Sequence, residues 1–202
     1  MSRYIGPKSR LCRREGICIC GREKCAIKKK NFKPGMHGQK GSISKPSEYA
    51  RQLREKQKLK RLFGVTERSL SNYFDKASKT KDITGQALLK LLETRFDNAV
   101  FRAGFAKTRA QARQMVNHGM FRLNGKRAAI CSIQLKEGDK FEVRERGRKS
   151  PLFAELEKQK FAPAKWLKVD YREYSGEIER MPEAEDLDQA INHSLVVEYY
   201  SK

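Results

Sequence analysis

Residues 92–144 read LETRFDNAVFRAGFAKTRAQARQMVNHGMFRLNGKRAAICSIQLKEGDKFEVR, and this stretch decides the fold. Apolar residues recur at helical spacing between positions 96 and 103, which predicts a first short helix. Thr108, followed three residues later by Gln111, predicts a capping box at the start of a second helix. The stretch therefore opens with two short helices, each apolar on one face and polar on the other.

A change of period after the second helix indicates strands. Asn124-Gly125, placed between short alternating segments, is a strong signal for a tight hairpin turn. A second turn at residues 137–139 leads into residues 140–144, where apolar and charged residues alternate. The fold class predicted for this stretch is α+β, with two helices set against a hairpin or short sheet.

The cations of this unit lie on the polar side of each element. Any single arginine could instead be an ordinary solvated surface charge that binds no ligand, because most surface charges contribute little through specific contacts. Here, however, a loop, two helices and a hairpin tip all present cations. Binding to one phosphate backbone explains the whole set better than solvation of each cation does. The candidate phosphate-binding residues here are Arg95, Arg102, Lys107, Arg109, Arg113 and Lys126.

The whole chain is strongly basic, with 202 residues and a formal net charge of +21. The net charge is +15 over residues 1–61, +11 over residues 62–170 and −5 over residues 171–202. Such a charge points to a polyanionic partner. No apolar run approaches the roughly 20 residues that span a bilayer, and the first residues lack an apolar signal core. We therefore expect a soluble, unexported protein that does not bind membranes.

Residues 1–45 have little periodic hydrophobicity and form a basic, cysteine-rich extension. Without an export signal, its cysteines are expected to be thiols and not disulfides. Four soft ligands this close together suit a structural zinc ion, and the surrounding cations should favour the thiolate forms. An iron–sulfur cluster is the alternative cofactor, and ordinary reduced cysteines are a third reading. The candidate metal ligands are Cys12, Cys18, Cys20 and Cys25.

A helical segment follows the extension. Pro46 is predicted to be the first helical residue of a basic helix that ends at Gly64, and Thr66 and Thr84 are predicted to cap the next two helices. The first helix has a thin apolar face and an excess of cations, which favours an anionic neighbour. Residues 191–200 fit a helix, with a strand as the alternative, and should dock on these helices. The cations of the basic helix that are candidates to bind this anionic partner are Arg51, Arg54, Lys58 and Arg61.

Several motifs match one family over essentially the whole length. They are MSRYIGPK, LCRREG, PGMHGQK, YARQLREKQKLKRLFGV, LLETRFDNAVFRAGFAKTRAQARQMVNHG, LNGKR and the terminal EYYSK. With these motifs the sequence resembles the S4 family of small-subunit ribosomal proteins from bacteria and organelles. Residues 93–144 look like the small RNA-binding module that takes its name from that family.

The resemblance implies a structural ribosomal protein and not an enzyme. It implies direct binding to small-subunit rRNA, nucleation of the body of the subunit, and an influence on translational accuracy close to where mRNA enters. It also implies a neighbouring protein, S5, a cytoplasmic location in the ribosome (bacterial, or alternatively organellar), and no need for a homo-oligomer. Zinc-type members place a cysteine three residues before Cys12, where this chain has Ser9; Cys18 could substitute for it.

The expected domain organisation has four parts. Residues 1–45 form the extension, and residues 46–92 form a helical rRNA-binding domain closed by residues 190–202. Residues 93–157 form the RNA-binding module, and residues 158–189 form an irregular connecting segment. Two alternative functions use the same module, an RNA-modifying enzyme and a zinc-containing nucleic-acid-binding regulator. The enzyme would need a further domain carrying a nucleophile or general base.

Overall fold

The computed structural model describes residues 4–22, 24–39, 45–148, 150, 153, 162–188 and 190–201. These residues form eight α-helices, two 3-10 turns and one antiparallel sheet, in agreement with the predicted mixture of helices and a small sheet. The chain divides into two compact units, one made of residues 1–89 and 188–202 and the other of residues 90–187. Within the described ranges, no helix combines the length and the hydropathy needed to cross a membrane.

The elements occur in the following order along the chain. The first unit contains α1 (Lys8–Glu15), a 3-10 turn (Ala26–Lys28), α2 (Glu48–Phe63), α3 (Glu67–Ala77), most of α4 (Thr84–Glu93) and α8 (His193–Tyr200). The second unit contains α5 (Phe96–Arg102), α6 (Arg109–Asn117), β1 (Phe121–Leu123), β2 (Lys126–Ala128), β3 (Lys140–Val143), α7 (Glu145–Arg148), β4 (Leu167–Asp170), β5 (Ser175–Ile178) and a 3-10 turn (Ala184–Asp186).

The start of α2 differs from the prediction by two residues. The Oγ atom of Ser47 accepts a hydrogen bond from the backbone N–H of Ala50 at 3.3 Å, so Ser47 is the N-cap and the helix begins at Glu48. Pro46 lies just outside the helix, because a serine hydroxyl satisfies a free N–H group that proline cannot. The helix ends as predicted at Gly64, whose φ of 63° is the left-handed conformation that glycine adopts freely.

The two threonine caps have different outcomes. Thr66 caps α3 as predicted, since its Oγ1 atom accepts from the backbone N–H of Ser69 at 3.3 Å. The prediction for Thr84 is wrong, because Thr84 is already the first residue of α4. The backbone carbonyl of Ile83 takes the helical bond from the N–H of Ala87 at 2.9 Å, so the helix begins one residue earlier than expected.

The C-terminal segment is a helix, and it packs on α2 as predicted. Val196 is fully buried. The side-chain amide of Gln52 donates to Oε2 of Glu198 at 2.9 Å, and the rings of Phe74 and Tyr200 stack with centroids 4.8 Å apart. The end of the chain therefore closes the helices of the first unit.

The carboxylate of Glu67 joins α2, α3 and α8. It accepts hydrogen bonds from Nζ of Lys56 at 2.8 Å, from Nζ of Lys60 at 2.9 Å and from the hydroxyl of Tyr200 at 3.0 Å. Partial burial acts to raise the pKa of Glu67, but these three donors outweigh it and lower the pKa to about 2. The same contact, together with burial, raises the pKa of Tyr200.

The sheet of the second unit has the strand order β2-β1-β3-β5-β4, with every neighbouring pair antiparallel. The predicted hairpin is confirmed, since β1 and β2 pair across Asn124 and Gly125. Their φ values of 48° and 77° are those of a type I′ turn, whose twist matches the twist of the paired strands. The predicted strand after the second turn is β3, which pairs with β1.

Residues 158–189 are not simply an irregular connection, because their described part contains β4 and β5. The acidic residues around β5 look turn-like in sequence, but Gly176 pairs with Phe141 of β3. A Cβ atom at position 176 would lie 2.5 Å from Cζ of the Phe141 ring, so glycine is needed for this close approach. Leu152, Phe153 and Leu156 have the spacing that predicts a short helix, but this segment lies largely outside the described residues.

Aromatic rings form the core of the second unit between α5 and the sheet. Phe96 and Phe105 each meet Phe121 and Phe141 edge to face, with centroids 6.0 to 6.1 Å apart. All four rings are at most 1 % exposed, and Trp166 is fully buried beside them. This core holds α5, α6 and the hairpin in a fixed arrangement. The cationic side chains extend from these elements.

The Glu67 contact predicts a pH-dependent stability for the first unit. A carboxyl group with a folded-state pKa near 2 stabilises the fold above its unfolded pKa of about 4.3, and loses that contribution as the pH falls towards 2. We expect Glu67→Gln to lower the free energy of unfolding at pH 7 by about 1 kcal/mol, after discounting for the exposure of this side chain. Hydrogen exchange of the α2 and α8 amides, corrected for intrinsic rates, measures this difference.

The difference between Glu67→Gln and the unmodified protein should shrink steadily as the pH falls from 5 to 2, because the Glu67 carboxyl is then protonated first in the unfolded state and next in the folded state. Glu185→Gln, which removes an exposed carboxylate in the other unit, is the control and should leave α2 and α8 unchanged. A difference of constant size across this pH range would contradict the role given to the Glu67 charge.

Candidate nucleic-acid interface

The start of α6 is fixed by the side chains of Thr108 and Gln111. Oγ1 of Thr108 accepts from the backbone N–H of Gln111 at 3.2 Å, as the capping-box prediction requires. Oε1 of Gln111 accepts from the backbone N–H of Lys107 at 3.0 Å, one residue earlier than the predicted reciprocal bond. Ala112, Met115 and Val116 are buried as predicted, so Arg109 and Arg113 stay on the outer part of the helix.

A buried carboxylate lies beneath this part of the surface. Glu93, the last residue of α4, is fully buried and binds the guanidinium of Arg102 with Nε at 2.8 Å and Nη2 at 2.6 Å. The side-chain amide of Asn98 donates to Oε2 of Glu93 at 2.6 Å and accepts from Nε of Arg109 at 2.9 Å. The guanidinium of Arg109 also lies 4.8 Å from the centre of the Phe101 ring.

Asp97 forms a second such contact. Arg95 binds it through two hydrogen bonds, from Nε at 3.0 Å and from Nη2 at 2.8 Å, and Nε of Arg113 lies 3.8 Å from Oδ2. Arg95 is only 2 % exposed, so the prediction that it contacts RNA is corrected here. A guanidinium enclosed with its own carboxylate is a structural group, because a phosphate cannot reach it without unfolding the site.

The remaining arginines of the network keep part of their surface in solvent. The side chains of Arg102, Arg109 and Arg113 are 25 %, 18 % and 13 % exposed. Among the described residues, Glu93 and Asp97 contact these three arginines and Arg95, so four cations meet two carboxylates here. The surface therefore combines fixed guanidinium positions with an excess of positive charge, which suits phosphate oxygens.

Two predicted lysines are exposed in the same unit. Lys107 lies in the loop before α6, and Lys126 lies at the first position of β2 beside the hairpin turn. Arg127 is exposed next to Lys126, and its Nε atom lies 2.7 Å from the position that a Cβ atom on Gly119 would take. The hairpin thus brings cations to the C-terminal end of α6.

The cations of α2 divide into two groups. Arg54 and Arg61 both bind Oε1 of Glu15, Arg54 at a distance of 3.2 Å, and the Glu15 side chain is only 1 % exposed. Lys58 forms an ion pair with Glu55 of the same helix. Arg51 is exposed on the helix surface. Of the four α2 cations predicted to bind RNA, three thus also have a carboxylate partner within the protein.

Sequence reasoning missed the acidic and amide residues that hold the arginines. Glu93, Asp97 and Asn98 were not among the candidate residues, although each is at most 5 % exposed and contacts at least two of the cations or their partners. The available signal was the presence of two acids, four residues apart, inside an otherwise cationic stretch. Buried acids in such a stretch indicate which cations are held inside the protein, because a buried charge needs a partner of opposite charge.

The extension brings three of its four cysteines together. Among the described residues, the Sγ atoms of Cys12, Cys20 and Cys25 lie within 4.8 Å of one another, and all three side chains are buried. Cys18 is exposed, with its Sγ atom 3.7 Å from that of Cys20. Four sulfurs at about 2.3 Å from a tetrahedral zinc ion lie about 3.8 Å apart, so this donor set fits such an ion.

The surroundings of these thiols differ from the prediction made from charge alone. Burial raises the pKa of Cys12 and raises that of Cys25 to about 12, which opposes the effect expected of the nearby cations. For Cys20 the burial is outweighed by hydrogen bonds from the Arg22 backbone and the neighbouring thiols, which lower its pKa. Cations solvated at the surface are screened, whereas burial acts on the thiols directly.

Cys131 is separate from this group. It is fully buried in the second unit, and its thiol donates to Oδ1 of Asn117 at 2.8 Å. Its contacts are those of a small core residue that joins the segment after the hairpin to α6.

Comparison with known proteins identifies both parts of the chain. Residues 3–93 match the family model described as ribosomal protein S4/S9 N-terminal domain, and residues 94–141 match the S4 domain model. The chain is 47 % identical over 210 residues to small ribosomal subunit protein uS4 of Natranaerobius thermophilus and 46 % identical over 210 residues to that of Trichlorobacter lovleyi. It is 44 % identical over 212 residues to that of Thermus thermophilus.

In each of these pairs, the similarity covers the full length of both proteins. The resemblance expected from the motifs is therefore confirmed, including the module that follows residue 92. The chain belongs to the uS4 family of small ribosomal subunit proteins.

Proposed function

We propose that this protein is a structural constituent of the small ribosomal subunit that binds small-subunit rRNA directly. The observation that carries the proposal is the set of half-buried arginines on α5 and α6, held in place by an aromatic core within the part of the chain that matches the S4 domain. The protein acts as a binding component and not as an enzyme. The alternative functions are not favoured, because relatives named as ribosomal proteins match the chain end to end.

Recognition by shape and charge fits this surface. A-form RNA hides its base edges in a deep groove, so a protein reads phosphates, 2′-hydroxyls and backbone geometry. Lys107 and Lys126 supply exposed charges, and the arginines supply planar groups that can bind phosphate through two hydrogen bonds. The proposed RNA-binding residues are Arg51, Arg54, Lys58, Arg61, Arg102, Lys107, Arg109, Arg113 and Lys126.

Family membership supports a more specific role. We infer that the protein binds early and nucleates the body of the subunit, and that it influences translational accuracy close to where mRNA enters. Protein S5 is the proposed neighbour, and the ribosome in the cytoplasm is the proposed location. Cross-linking of assembled subunits, followed by mass spectrometry of the peptides joined to this chain, tests the neighbour; cross-links confined to other proteins would exclude S5.

A structural zinc ion is part of the proposal. Cys12, Cys20 and Cys25 would supply three buried sulfurs, and Cys18 would supply the fourth from the surface. Residues 1–45 have little periodic hydrophobicity, so a metal would provide folding free energy that this segment otherwise lacks. The chemistry of four thiolates also suits an iron–sulfur cluster, which remains the alternative cofactor.

The salt dependence of RNA binding tests the main function. We expect the full-length protein to bind small-subunit rRNA of Thermus thermophilus with an affinity that falls steeply as salt rises, because each phosphate contact releases counterions. Lys107→Gln combined with Lys126→Gln should reduce the slope of log affinity against log salt concentration by about one to two units. Both lysines are exposed, whereas Arg109 and Arg113 are partly buried and contact Asn98 and Asp97.

A matched double variant controls for charge alone. Lys165 and Lys168 are exposed, and Lys168 lies on β4 at the opposite edge of the sheet from β2, so Lys165→Gln combined with Lys168→Gln should leave the slope nearly unchanged. Equal slopes for both double variants would remove the assignment of Lys107 and Lys126. Duplex DNA that competes as well as the rRNA at equal salt would instead favour a general nucleic-acid-binding regulator.

Elemental analysis of protein purified under reducing conditions tests the metal proposal. We expect about one zinc per chain, lost in Cys25→Ser and held more weakly in Cys18→Ser, because three buried sulfurs remain when Cys18 is removed. Cys131→Ser, which alters a buried thiol outside the group, should keep the full zinc content. Stoichiometric iron with sulfide would identify a cluster instead, and absence of both metals would leave these residues as free thiols.

A further inference from the structure

A buried carboxylate in a surface that binds a polyanion needs an explanation. Glu93 is fully buried, and its negative charge lies beneath arginines proposed to contact phosphates. Burying a charge is unfavourable by itself, and a negative charge near RNA also repels the ligand. An uncharged side chain of similar size would avoid both penalties. The contacts of Glu93 indicate what this charge contributes.

Glu93 fixes the two guanidinium groups on either side of it. Both of its oxygens accept from Arg102, which holds that side chain in one plane. The same carboxylate holds the amide of Asn98, whose oxygen accepts from Nε of Arg109. The ring of Phe101 supports Arg109 from one face. Arg102 and Arg109 are therefore held in position by one carboxylate, directly and through one amide.

We propose that Glu93 is a positioning residue for RNA binding, which acts by holding Arg102 and Arg109 in the orientation that receives phosphate oxygens. The proposal rests on the proposed rRNA-binding function and adds a residue that does not touch the RNA. Free arginine side chains lose rotamer freedom when they bind a ligand, and this loss weakens binding. Arginines that are already held by a buried carboxylate have lost that freedom during folding, so less is lost on binding.

Two explanations for Glu93 predict opposite effects of Glu93→Gln on affinity. If Glu93 acted on RNA only through its charge, its neutralisation would remove a repulsion and strengthen binding. If it positions the arginines, binding should weaken although the net charge of the protein becomes more positive. Glutamine keeps the size of the side chain, but its NH₂ group would face an N–H group of Arg102, so the two-bond contact is lost.

The experiment measures the affinity of the full-length protein for small-subunit rRNA of Thermus thermophilus over a range of salt concentrations. We expect Glu93→Gln to lower the affinity about tenfold, the effect of losing one hydrogen bond to a charged group, with a similar salt slope. Glu93→Asp, which keeps the charge on a shorter side chain, should recover part of the loss. In a background of Arg102→Gln, the effect of Glu93→Gln should shrink, because one of the two groups that it positions is already absent.

Glu142→Gln is the matched control. Glu142 lies on β3, is 38 % exposed and pairs with Arg122 at 3.7 Å, so the substitution makes the same change in charge outside the network. It should leave the affinity unchanged or raise it slightly. NMR of the arginine Nε–H groups adds a direct readout, since the Arg102 and Arg109 signals should broaden or move in Glu93→Gln while the amides of β3 keep their positions.

Should Glu93→Gln fail to fold, Asn98→Ala examines the same arrangement through Arg109. It removes the acceptor for Nε of Arg109 without changing charge, and a lower affinity with an unchanged salt slope is expected. Affinity equal to or above that of the unmodified protein in either folded variant would overturn the positioning role. If the unmodified protein itself did not bind this RNA with a steep salt dependence, the proposed function would have failed, and not this inference.

Discussion

Within the described residues, the fold depends on carboxylates that are each shared by two cations. Four acids follow this pattern, and they link helices or turns within a unit: Glu15 with Arg54 and Arg61, Glu67 with Lys56 and Lys60, Glu93 with Arg102 and Arg109, and Asp97 with Arg95 and Arg113. A chain with a net charge of +21 must bring like charges close together when it folds. A carboxylate between two cations replaces their mutual repulsion with two attractions. Each of these groups contains two cations and one carboxylate, so these contacts alone do not cancel the positive charge that attracts RNA.

The depth of each carboxylate decides what its contacts do. Glu93 and Asp97 are almost wholly buried, so loss of either would remove an opposite charge from arginines at low dielectric constant. Glu67 is 45 % exposed, and solvent reduces the strength of its contacts. The buried pair lies beneath the proposed RNA surface, whereas Glu67 joins helices of the other unit. Burial of Glu93 and Asp97 thus fixes arginines in the second unit, and burial of Glu15 does the same for Arg54 and Arg61 in the first unit. The more exposed Glu67 gives the first unit a contact that responds to pH.

Sequence reasoning succeeded where structure depends on near neighbours. The caps at Thr66 and Thr108 and the hairpin at Asn124-Gly125 are set by bonds between residues at most three positions apart, so the residue types suffice to predict them. Sequence reasoning failed for β5, because an acidic segment that contains a glycine does not alternate apolar and polar residues as a strand does. The strand depends on pairing with β3, where Gly176 lies against Phe141. The start of α2 was misplaced by two residues, because Ser47 caps this helix. The start of α4 was misplaced by one residue, because the helix already begins at Thr84.

The candidate site shows the same limit more sharply. Cationic residue types predicted a polyanion-binding surface, but residue type does not distinguish a cation that faces solvent from one enclosed with an acid. Arg95 and Arg113 belong to the same stretch and contact the same Asp97, yet burial makes Arg95 structural and leaves Arg113 partly exposed. That difference depends on the packing of α5 and α6 against the aromatic core, which joins residues far apart in the chain. A cation in such a protein should therefore be assigned to RNA only after its internal carboxylates have been located, because the acids determine which guanidinium edges remain for phosphate.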